Sequence, residues 1–173
     1  MRLFVAAWLP DEVIETVAEV IKGRAAPGPR WIDRSKWHVT LEFLGEVPDG
    51  DVSDLIDAVA RAGAVALPRV AQLGPATTTL GRAVLCVPVQ GLEDLAREVR
   101  RATTFFNHPT DGDRPFAGHL TLARAPRRGA IPQALRGIAV SARWAVEDIA
   151  VVLSTTGPDG ASYTTLATVR LEG

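Results

Sequence analysis

Two short tracts carry the groups best suited to chemistry: His38-Val39-Thr40-Leu41 and His119-Leu120-Thr121-Leu122. Each sets an imidazole two residues before a hydroxyl. In a strand, side chains alternate between faces, so His38 and Thr40 point one way and Val39 and Leu41 the other. His119 and Thr121 behave alike, with Leu120 and Leu122 toward a core. Imidazole titrates near neutral pH, so one copy can accept a proton while the other donates one. A threonine hydroxyl can donate to a non-bridging phosphate oxygen. Two such pairs facing one cleft suit in-line displacement at phosphorus without a metal, with charge stabilised by positioned donors. A module that only binds phosphorylated nucleotides would use the same donors, but would not need two titratable groups.

The motif alone does not decide the matter, because all three histidines have threonine two residues later. His108-Pro109-Thr110 sits beside Asp111-Gly112-Asp113, which is turn chemistry. Pro109 cannot donate to a strand ladder. His108 is therefore read as a loop histidine, which also argues against a three-histidine metal site. No metal or other cofactor is expected.

The elements that must position the two pairs follow from periodicity. Residues 2–9 form a continuous apolar run, read as a buried strand. Pro10-Asp11-Glu12 opens a helix whose Val13, Ile14, Val17, Val20 and Ile21 recur at helical spacing and which ends near Gly23. Residues 37–44 are a strand, 51–64 a helix and 65–73 a strand. The order then begins again, with a strand at 82–89, a helix at 92–106, a polar loop at 107–115 and a strand at 118–123. A short helix at 132–138 and strands at 144–154 and 162–171 complete it. The histidines lie 81 positions apart. The same offset carries Phe4 to Leu85, Asp51 to Pro132 and Leu67 to Asp148, each landing in an equivalent kind of element. Two similar β-α-β-α-β units imply two lobes related by a pseudo-twofold, which would bring both pairs to one cleft. Periodicity leaves parallel and antiparallel pairing open: helices between strands suit the first, and helices gathered on one face suit the second.

Composition narrows the class. Across 173 residues, Lys+Arg 19 nearly balances Asp+Glu 20, which argues against coating long duplex nucleic acid. A short end bound in a local basic pocket is compatible. Arg124 with Arg127 and Arg128 forms either such a patch or a solvated loop. The one cysteine, Cys86, lies in an apolar run and reads as core filler, so no disulfide framework is expected. No run approaches a membrane span, and the apolar N-terminus lacks the features of a signal peptide. A cytoplasmic monomer is the expectation. Trp8 and Trp144 read as core, and Trp31 and Trp37 as more open, with a packing role favoured for each of the four. Tyr163 either reaches the cleft or caps the last strand.

The paired motifs resemble the 2H phosphoesterase superfamily. The flanks Arg2-Leu3-Phe4-Val5-Ala6, Glu42-Phe43-Leu44-Gly45 and Ala123-Arg124 are similar to its RNA 2′,3′-cyclic phosphodiesterase branch, formerly known as 2′-5′ RNA ligases. Residues 154–163, with Gly157-Pro158-Asp159-Gly160, share that likeness, which runs from about residue 2 to 171. The resemblance implies an α+β fold over residues 1–173, a single bilobal domain with two antiparallel sheets lining a central cleft and helices outside. It implies metal-independent hydrolysis of a terminal 2′,3′-cyclic phosphate on RNA or nucleotides to a 2′-phosphate, or 2′-5′ ligation in the same cleft. By the same resemblance His38 is the proton donor, His119 the proton acceptor, Thr40 and Thr121 hold the phosphate, and Phe43 and Arg124 contact the base. Phe43 and Arg124 have the opposite parity to the histidines, so a bulge or strand end must turn them outward. One departure is Gly118, where the family usually has proline; it could loosen the entry to the second motif strand.

Overall fold

The computed structural model describes residues 1–24, 27–106, 115–157 and 160–172. His108, its neighbouring turn, and Pro158-Asp159 lie outside the described residues. The strands are β1 (Arg2–Trp8), β2 (Arg30–Trp31), β3 (His38–Glu46), β4 (Arg69–Leu73), β5 (Thr78–Leu80), β6 (Val84–Gln90), β7 (His119–Arg124), β8 (Ala142–Val146), β9 (Asp148–Gly157) and β10 (Gly160–Arg170). The helices are α1 (Asp11–Ile21), α2 (Val52–Val65) and α3 (Glu93–Thr103).

Every strand pairing among the described residues is antiparallel, which settles the choice that periodicity left open. The hydrogen-bonded order runs β10-β9-β1-β3-β7-β6-β4-β8, with β2 added beside β7 and β5 beside β6. The order reads symmetrically about its centre. The 81-residue offset carries β1 onto β6, β3 onto β7 and β4 into β9, and these are the strands at matching distances from the β3–β7 seam. The two halves of the sheet meet there through one paired position, Val39 with Leu120.

The three helices cover one face. Val13 and Val17 of α1, Leu55 and Val59 of α2, and Leu95 and Val99 of α3 share a single apolar cluster with Leu3, Val5, Val39, Leu41, Leu85, Val87, Leu120 and Leu122. Their spacing of four residues is the stripe an amphipathic helix buries. Close approach is built in at Gly63 of α2, where a Cβ would lie 2.3 Å from Val169 Cγ1 on β10. The opposite, open face carries a smaller cluster of Phe4, Ala6, Ala150 and Val152, with Trp8 and Tyr163 packed on it.

Three elements differ from their expected form. The expected helix at 132–138 is one turn, Gln133–Leu135, because Pro132 and the left-handed Gly137 (φ +74°) leave too few residues to propagate it. The expected strand at 144–154 is two strands broken at Glu147. β8 pairs with β4 at one edge, and β9 pairs with β1 and β10 in the other half. The expected strand at 65–73 begins only at Arg69, because α2 continues to Val65 and Pro68 has no N–H to join a ladder.

Candidate active site

β3 and β7 place the four motif residues together. Their shared pair, Val39 with Leu120, points into the core, with neither side chain exposed. His38, Thr40, His119 and Thr121 flank that pair on the open face, all half-buried. Continued one step each way, the register sets His38 across from Thr121 and Thr40 across from His119. Residues directly opposite in an antiparallel pair bring their Cβ atoms to roughly 4.5–5.5 Å, close enough for two imidazoles and two hydroxyls to share one phosphate-sized group.

Both histidines are anchored in the same way. Nδ1 of His38 lies 2.7 Å from the Lys36 carbonyl oxygen, and Nδ1 of His119 lies 2.8 Å from that of Ala117. A carbonyl can only accept, so each Nδ1 carries the proton and each neutral ring keeps Nε2 as its acceptor. The matched bonds fix tautomer and ring direction alike in both copies. Rings enclose His38 further: Phe4 at 5.0 Å, Tyr163 at 5.3 Å and Trp8 at 5.4 Å between centroids, the last two roughly edge-on. That burial pulls the His38 pKa below its ordinary value. The bond to the Lys36 carbonyl opposes the shift, and the neighbouring charge of His119 adds to it.

The parity conflict at Phe43 and Arg124 is resolved by a bulge in each strand. Val5 pairs with Glu42 and Ala6 with Thr40, leaving Leu41 as an extra residue in β3. Leu85 pairs with Ala123 and Cys86 with Thr121, leaving Leu122 extra in β7. Leu41 and Leu122 are themselves 81 apart. A bulge puts two successive residues on one side and shifts the alternation by one. Leu41 and Glu42 are accordingly both buried, as are Leu122 and Ala123, and the next residues turn outward. Phe43 is 64% exposed and Arg124 is exposed.

Other residues fall differently from their reading by type. Trp37, read as more open than Trp8 but with a packing role favoured, is fully buried core with its Nε1 donating to the Ile32 carbonyl at 3.2 Å. Trp8, expected to be core, is half-buried beside His38. The available signal was period two in β1, where Phe4, Ala6 and Trp8 share the open face. Trp144 is core as expected, and Tyr163 reaches the site. Gly118 is not a loose entry. A Cβ there would lie 2.4 Å from the Val89 carbonyl oxygen, so glycine lets the start of β7 press against β6. Cys86 is buried as expected, and burial raises its thiol pKa. Among the described residues no three His, Cys, Asp or Glu side chains gather around a common point.

Residues 9–158 match the model of the 2′-5′ RNA ligase superfamily. The chain belongs to that superfamily. It is 31% identical to an RNA 2′,3′-cyclic phosphodiesterase of Thermus thermophilus, over all of this chain and 91% of that protein. It is likewise 31% identical to one of Geobacillus stearothermophilus, over 98% of this chain, although the chain spans only 57% of that relative's length. A solved structure from Thermus thermophilus superposes with a TM-score of 0.86 at 30% identity, covering 100% of this chain and 99% of that one. Escherichia coli LigT complexed with 3′-AMP gives 0.79 at 27%, covering 99% and 98%.

Proposed function

We propose that this site hydrolyses a terminal 2′,3′-cyclic phosphate on RNA, leaving a 2′-phosphomonoester and a 3′-hydroxyl. The observation that carries the reading is the matched anchoring of two imidazoles on adjacent strands, each with a threonine on the same face. Nucleophile activation and leaving-group protonation are what a pair of oriented Nε2 atoms can divide between them. The names of the two curated relatives and the nucleotide bound by LigT point to the same substrate class.

In this reading His119 Nε2 takes a proton from water as its oxygen attacks phosphorus. His38, carrying a proton on Nε2 as well as Nδ1 in this step, gives the Nε2 proton to O3′ as the P–O3′ bond breaks. Burial lowers the His38 pKa, which favours release of the proton once its ring carries one. Thr40 and Thr121 donate to the non-bridging oxygens as negative charge builds on them. Phe43 and Arg124, turned onto the same face by the bulges, receive the terminal base. No step calls for a metal, and the two lobes act as one domain. If a 5′-hydroxyl replaces water, the same displacement yields a 2′-5′ phosphodiester, a second reading that the superfamily's name favours.

His38→Ala and His119→Ala are expected to lower kcat/KM on an RNA with a cyclic phosphate end by about 10²–10⁴-fold each while the fold persists. Full turnover in either folded variant contradicts the reading. Supplying a 5′-hydroxyl acceptor and measuring joined product separates hydrolysis from ligation.

A further inference from the structure

Arg30 lies outside both motifs, yet it is set against the site in an unusual way. It is the direct cross-strand partner of Arg124 in the β2–β7 pair. Direct partners share a face, so both side chains belong to the open face. Like charges in that relation destabilise a sheet. Both arginines are exposed, and among the described residues no carboxylate pairs with either one. Other arginines nearby do find acids, as Arg34 does with Glu15 and Arg100 with Glu42. Among the described residues, the β2–β7 pair therefore concentrates positive charge that no carboxylate offsets, in a chain whose net charge is −1.

The direction of Arg30 adds a second observation. β2 is bonded to β7 in one half of the sheet, while the Arg30 guanidinium lies against Gly160 at the start of β10 in the other half. A Cβ at Gly160 would lie 2.7 Å from Arg30 Nη1, so glycine leaves the room the guanidinium fills. Six residues on, Lys36 reaches the same strand, its Nζ donating to the Ala161 carbonyl at 2.8 Å. Arg30 thus spans the two halves of the sheet, beside Arg124 and on the side where Tyr163 borders His38.

We infer that Arg30 binds the phosphodiester on the 5′ side of the terminal nucleotide, so that the protein favours RNA chains over single cyclic nucleotides. The inference rests on the function proposed above. A terminal nucleotide with its cyclic phosphate between the histidines and its base near Phe43 and Arg124 must send its 5′ oxygen out past the face these residues share. A guanidinium fork matches two phosphate oxygens there. The anion would also relieve the repulsion between Arg30 and Arg124.

The test compares two substrates in wild type and Arg30→Gln: a short RNA ending in 2′,3′-cyclic phosphate, and adenosine 2′,3′-cyclic phosphate, which has no 5′ phosphodiester. Arg30→Gln should raise KM for the RNA by about tenfold, the loss of one charge-assisted hydrogen bond, and change the mononucleotide by less than about twofold. Arg30→Lys should recover part of the RNA effect. Binding of the RNA to the doubly inactive His38→Ala/His119→Ala protein is measured against salt. Loss of one phosphate contact should flatten the log–log slope by about 0.7. Equal effects on both substrates, or no effect on either, overturn the inference, and so does an unchanged salt slope. Failure of the parent reading shows separately, as wild type that hydrolyses neither substrate, and the salt slope still decides the role of Arg30.

Discussion

The two histidines are anchored alike but enclosed differently. His38 sits among Phe4, Trp8 and Tyr163, and no comparable ring contact surrounds His119 among the described residues. The acid assignment is checked with a substrate whose bridging 3′ oxygen is replaced by sulfur, a leaving group that needs no proton. His38→Ala should recover most of its lost rate on that substrate, whereas His119→Ala should not. Recovery in His119→Ala instead would exchange the roles. The same burial links His38 to stability. Its folded pKa lies below the ordinary 6.5, so on acidification the unfolded chain takes up the proton first. Between the two values the unfolded state binds more protons, and stability falls as pH drops through that window. His38→Gln should flatten that part of the Tm–pH curve, and an unchanged slope contradicts the burial argument. The His-x-Thr pairs were legible in sequence because strand parity needs only a short apolar run. The place of Trp8 beside His38 was not, because β1 is apolar on both faces and residue type alone does not say which face is the open one.

At the scale of elements, the paired bulges at Leu41 and Leu122 decide which residues turn onto the open face. Sequence parity showed that a bulge or strand end was required if Phe43 and Arg124 were to face outward. It could not locate the extra residue, because a bulge is a relation between two strands and each partner lies far away in the chain. Phe43→Ala should leave Tm nearly unchanged, since an exposed side chain away from packing contributes within about 0.5 kcal/mol, yet it should raise KM for RNA ends. A large drop in Tm with unchanged KM would make Phe43 a structural residue. Gly118→Ala should do the opposite. Its Cβ meets the Val89 carbonyl, and relieving such an overlap costs on the order of 1–3 kcal/mol, read as a lower Tm. The helix expected after Pro132 failed for a local reason, a stop signal too soon after a start. The break at Glu147 carried a weaker signal, the acidic pair Glu147-Asp148 inside the apolar run, and both residues are exposed where the strand changes partners.

Over the whole molecule, the symmetry of the strand order explains why a fixed offset between motifs carries meaning. Equivalent strands meet at the centre, so residues 81 apart in sequence become neighbours across one seam. The antiparallel pairing and the three helices on one face follow from the same arrangement. Among the described residues no helix is long and apolar enough to cross a membrane. The seam itself is narrow, and the segment from Arg30 to Lys36 adds contacts between the halves. In the proposed reaction the two Nε2 atoms act together on a cyclic phosphate and release O3′. Phosphorus NMR of an RNA ending in 2′,3′-cyclic phosphate, followed through incubation with wild type, tests it most directly. A 2′-phosphomonoester as the sole product, absent with either alanine variant, is the predicted result; a 3′-phosphomonoester, or the same product from a folded variant lacking one histidine, would contradict it.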